Sequence, residues 1–84
     1  MGFPAGLTVK ATKVHTSVGK SSDIEVGAVY QGRVYSDLWN GRKLKIVING
    51  QIVLTTSEIE VMIQTQDQNW IIHTKTSIYL VEMM

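Results

Sequence analysis

A chain of 84 residues, 44% apolar and 18% charged with a formal net charge of +1, has room for a single domain over 1–84 and none for a multidomain enzyme. It contains no cysteine, which excludes disulfides, thiolate metal sites and a cysteine nucleophile, and which points to the cytoplasm rather than an oxidising compartment. A domain this small buries little over half of its unfolded surface, so association into a homo-oligomer is expected. The opening Met1-Gly2-Phe3-Pro4-Ala5-Gly6 lacks the basic segment and apolar block of a signal peptide, and no apolar run is long enough to span a membrane.

Ten Val, nine Ile and eight Thr face five Leu and three Ala, the bias of strands rather than helices. A first strand is expected over Leu7–Thr16, half polar through Lys10, Thr12 and Lys13, followed by a loop from Ser17 to Asp23. From Ile24 to Tyr35 the alternation Val26, Ala28, Tyr30, Gly32, Val34 marks one face, with Gly27 and Gly32 suggesting a bulge or sharp bend. Asp37–Gly41 forms a turn, after which Leu44, Ile46 and Ile48 alternate with Lys43, Lys45 and Val47. Asn49-Gly50 is a strong signal for a two-residue type I′ hairpin pairing Lys43–Ile48 with Gln51–Thr56.

Further on, Ile59, Val61 and Ile63 are expected to share a face opposite Glu58, Glu60, Met62 and Gln64. Gln66–Asn69 supplies a polar turn before Trp70–Lys75. The last segment, Ser77–Met83, alternates Ile78, Leu80, Glu82 with Tyr79, Val81, Met83. Its apolar groups on both sides suit a strand covered twice, once by a neighbouring subunit. The sum is an all-β domain of six or seven short antiparallel strands, a small SH3-like barrel or compact β-sandwich.

Charge divides unevenly: residues 1–45 hold seven Lys/Arg and three Asp/Glu, residues 46–84 one and four. Catalytic patterns are missing. Gly19-Lys20-Ser21 resembles the end of a phosphate loop, but Val14 stands where its first glycine belongs and no helix pattern follows. His15 and His73 have no metal-ligand spacing. Glu58 and Glu60 read as a solvent face, and Ser57 and Ser77 have no adjacent base. Neither enzyme activity nor a cofactor is expected. The stretch that interleaves rings and cations, Tyr30, Arg33, Tyr35, Trp39, Arg42, Lys43 and Lys45, is the candidate binding site, since rings stack and cations meet phosphate or carboxylate. The low net charge favours the alternative, in which Tyr30 and Trp39 are core residues and the cations a solvated rim.

At Leu54-Thr55-Thr56-Ser57-Glu58-Ile59 and Thr74-Lys75-Thr76-Ser77-Ile78-Tyr79 the chain resembles a group of small phage-encoded β proteins that read L-x-T-S-x-V and T-x-N-S-x-Y. The likeness covers residues 24–82, with Ile59 in place of Val and Thr76 in place of Asn. It implies an accessory viral protein without catalysis, made to bind and block a host or anti-phage defence component. A second expectation is an oligomer that sequesters a nucleotide-like signalling molecule, and a third a nucleic-acid-binding barrel, which the low net charge disfavours for long polyanions.

Overall fold

The computed structural model describes residues 6–84 apart from Val18, Lys20–Asp23, Ser36, Gln66 and Gln68. Six strands, β1 (Thr8–Thr16), β2 (Val29–Val34), β3 (Lys43–Ile48), β4 (Gln51–Gln64), β5 (Trp70–Thr74) and β6 (Ser77–Met83), follow one another antiparallel. β6 returns to pair with β1 over Val9↔Met83 to Thr16↔Ser77, so the sheet closes into a barrel. The period-2 pattern of the strands turns one set of side chains into a common interior. Val9 and Ala11, Val34, Leu44 and Ile46, Leu54 and Ile59, Ile72, and Tyr79 and Val81 are all buried there.

The β3–β4 hairpin forms where Asn-Gly requires it: Asn49 (φ 51°) and Gly50 (φ 80°) both take the left-handed conformation, and Ile48 pairs with Gln51. Gly32 marks a close approach. A Cβ at that position would lie 2.5 Å from the Val47 carbonyl oxygen, and the β2–β3 ladder runs over just two Cα pairs, Arg33↔Val47 and Val34↔Ile46. Gly27 (φ 94°) belongs to the turn before β2, so Val26 is exposed in that turn and does not continue the strand face.

β4 corrects the expected sidedness of Ile59, Val61 and Ile63. Ile59 pairs with Thr74 and faces inward, but the next partners are Val61↔His73 and Met62↔Ile72, leaving Glu60 as an extra residue. The bulge inverts the alternation, so Met62 packs against the core while Val61 and Ile63 are 44% and 48% exposed. The last strand keeps the expected alternation: Tyr79 and Val81 are core, with Ile78 and Leu80 on the outside.

One interior position is a lysine. Lys13 follows Val9 and Ala11 in the inward series, is 1% exposed, and donates its ammonium to the Ile24 carbonyl. Its own N–H and C=O bond Ala28 and Gly27, at 3.0 and 2.8 Å, so this residue ties the β1–β2 connection across one end of the barrel. The amine is sequestered yet partnered, as burial of a cation demands.

The two hydroxyl-rich segments interlock. Ser57 Oγ lies 3.0 Å from Thr76 Oγ1 and accepts the Thr76 N–H at 3.2 Å, while Thr74 Oγ1 donates to the Ser77 carbonyl and accepts the Ser77 N–H, closing the β5–β6 turn. Thr56 Oγ1 takes the Leu44 N–H at a register shift of β3–β4. These side chains satisfy backbone groups where ladders break, a structural role. The β5–β6 turn needs no left-handed residue at Thr76. Thr65 N–H bonds the Asn69 carbonyl at 2.7 Å across the polar turn, whose Gln66 and Gln68 lie outside the described residues, as do Lys20 and Ser21 of the abortive phosphate-loop pattern. Among the described residues no helix is long and apolar enough to cross a membrane.

Candidate partner-binding face

Alternation along β2 and β3 points Arg33, Lys43 and Lys45 outward, opposite the buried Val34, Leu44 and Ile46. Tyr35 follows β2, and its N–H bonds the Lys45 carbonyl at 2.9 Å, which sets the two residues side by side. The Lys45 ammonium lies 5.7 Å from the centre of the Tyr35 ring, and Tyr35 is 58% exposed.

A second ring and cation pair arises in the β2–β3 connection. Leu38 is fully buried and anchors it; Gly41 (φ 91°) turns the chain, and the Arg42 N–H bonds the Trp39 carbonyl at 3.1 Å. Backbone bonds of 2.7 Å link Gly41 and Arg42 to Ile59 of β4. The turn is thereby fixed, with Trp39 45% exposed and the Arg42 guanidinium 4.9 Å above its ring. An exposed contact of this kind contributes about 0.5–1 kcal/mol, enough to orient the arginine.

Six of the seven candidate residues therefore lie on or beside the outer β2–β3 surface. Tyr30 does not. It points inward and packs on the core, close enough to Tyr79 for the two phenols to influence each other. Burial raises the Tyr79 phenol above its ordinary pKa of 10.0, a hydrogen bond with Ser77 works against this, and Tyr30 adds to it. Of the two rings whose placement the sequence left open, Tyr30 is interior and Trp39 is surface.

Sequence reasoning did not find the open groove of about 710 Å³ where Thr8, Gln31 and Arg33 face Val47 and the Asn49-Gly50 tip. The β2–β3 ladder ends at Arg33↔Val47, and so short a ladder gives no pattern by which a sequence could reveal the groove. The groove has the size of a small-molecule site and one cation, but no aromatic ring among its lining residues.

Glu58, the register partner of Lys43, bridges to Lys75 at 3.5 Å. Among the described residues no group of three His, Cys, Asp or Glu is placed to hold a metal ion. No family model, curated protein or solved structure matches the chain.

Proposed function

We propose that this protein is a non-catalytic binding module of the phage accessory kind, acting in the host cytoplasm by stoichiometric capture of a host or anti-phage defence protein. The observation that carries this reading is the pair of exposed ring and cation contacts, Lys45 on Tyr35 at the outer β2–β3 surface that also bears Arg33, and Arg42 on Trp39 in the connection between those strands. Trp, Tyr and Arg dominate binding hot spots, and rings already fixed by a cation lose little freedom on association. Such a face suits an acidic, partly apolar protein surface. Capture of a nucleotide-like signal is less well supported, because the groove beside Arg33 offers no ring for stacking.

The test is expression in bacteria carrying individual defence systems, with infection by a sensitive phage, followed by native mass spectrometry of the purified mixture. The expected result is relief of one system and a fixed-stoichiometry complex with one of its proteins, both lost in Arg33→Glu/Lys45→Glu. If the double variant folds and keeps both, the face is wrongly assigned; a co-purified nucleotide with no protein partner would replace this reading by sequestration.

A further inference from the structure

A second surface emerges from the strand register on the other side of the barrel. Across β4, β5, β6, β1 and β2, successive Cα partners are Ile63, Ile71, Leu80, Thr12 and Val29; the neighbouring row is Val61, His73, Ile78 and His15. These side chains point outward, because the intervening Met62, Ile72, Tyr79, Val81 and Ala11 belong to the core and its packed border. Val29, Val61 and Ile63 remain between 44% and 49% exposed. Six of the nine positions are aliphatic and none is Lys, Arg, Asp or Glu. The water-facing side of an antiparallel sheet is normally polar, and the outer face of β2–β3 in this same barrel is.

We propose that this face is covered by a second copy of the chain in a two-fold dimer. A two-fold contact is made by one patch meeting itself, so the patch must be its own complement. The β2–β3 face fails that condition, since it would bring its arginines and lysines against each other. The β4–β5–β6–β1 face meets it. Its two rows contain no Lys, Arg, Asp or Glu, and the next row outward pairs Glu82 with Lys10, opposite charges side by side that can exchange partners across a two-fold axis.

Size sets how far the contact extends. Strand spacing and rise give each outward position about 33 Å² of sheet, so the six aliphatic positions cover roughly 200 Å² of a surface that curves around the closed barrel. A specific interface takes about a tenth of a small protein's surface, which for 5170 Å² is about 520 Å², so the contact must include the polar neighbours of these positions. An 84-residue barrel with one small core also gains more from pairing than a larger domain would.

The full chain is examined by sedimentation equilibrium from 1 to 100 μM, with circular dichroism as the check on folding. The expected mass is twice 9.4 kDa, falling to the single-chain value in Leu80→Asp and Ile63→Asp while the strand signal persists, and unchanged in Arg33→Glu. Should the aspartate variants fail to fold, the absence of native cysteine permits a second readout. Ile63→Cys carrying a spin label, mixed with unlabelled ¹⁵N protein, should broaden amides of β4, β5 and β6 in the unlabelled copy. A single-chain mass at 100 μM would overturn the proposal, as would a dimer that folded aspartate variants leave intact or broadening confined to β2–β3.

Discussion

The barrel has two outer faces built by the same alternation around the same core, and they have opposite chemistry. On β2–β3 the outward positions include Gln31, Arg33, Lys43 and Lys45, with Tyr35 and Trp39 beside them and Val29 and Val47 at the margins; on β4–β5–β6–β1 they include Ile63, Ile71, Ile78 and Leu80. Their support differs as well, for β1–β6 is joined over seven Cα pairs and β2–β3 over two. Closing a sheet leaves its outside free of any duty to the core. The first face is suited to directional, salt-sensitive recognition by fixed cations, and the second to contact by area, which salt weakens little.

The largest expected effect comes from attacking the weaker support. Gly32→Ala would press a methyl group against the Val47 carbonyl and the Ile46 side chain. It should destabilise the fold by about 1–3 kcal/mol, read as a lower urea midpoint. In amide exchange the β2–β3 pairs should open before those of β1–β6; uniform loosening would show that the two sides are not separable. A smaller effect is expected at the stacked turn. Trp39→Ala removes a ring that is 45% exposed and should cost stability only about 0.5–1 kcal/mol through the lost cation contact. Partner binding should fall much further, by about 2 kcal/mol or more, as at a hot spot, when measured by calorimetry. Stability that collapses with Trp39→Ala would make the turn part of the core.

The smallest effect tests what both faces share. Because burial raises the Tyr79 phenol above 10.0, the unfolded chain loses this proton more readily than the folded one. The contribution is fully present below pH 10 and is lost as pH rises through the folded value. Tyr79→Phe should therefore change little in the pH dependence near neutrality and flatten the fall in stability above pH 10, seen in urea titrations at pH 7 and pH 11. An unchanged alkaline slope would remove Tyr79 as its source.

Much of this was legible in the residues. Asn49-Gly50 specifies its turn by backbone conformation alone, so the β3–β4 hairpin could be read directly, as could the strand bias of the whole chain. Sidedness was harder, because alternation propagates only until a bulge. Glu60 is one extra residue, and it turns Val61 and Ile63 outward when the pattern through Ile59 would place them inside. Lys13 shows the converse: it continues the inward series of Val9 and Ala11, an interior place that the Ile24 carbonyl makes possible for a residue type normally at the surface. For the candidate site, composition marked the right segment and could not sort Tyr30 from Trp39. One lies on a strand whose inward face is fixed by distant partners, the other on a turn pinned by the neighbouring Leu38.

The ladder that closes the barrel joins residues from opposite ends of the described chain: Val9 pairs with Met83, and the Met84 N–H bonds the Thr8 carbonyl at 3.2 Å. Every other ladder links strands adjacent in sequence and can zip from a local turn, but this one requires most of the polypeptide to be in place before its first bond forms. Slow folding for the chain's size is the expected outcome, with the Asn49-Gly50 hairpin able to form early and the β1–β6 contact last, which stopped-flow refolding checks. Until then β1 and β6 each present an unpaired edge that can template association. A chain that lacks β6 leaves the edge of β1 away from β2 unpaired, and its aggregation at concentrations where the full barrel stays dispersed is the expected outcome.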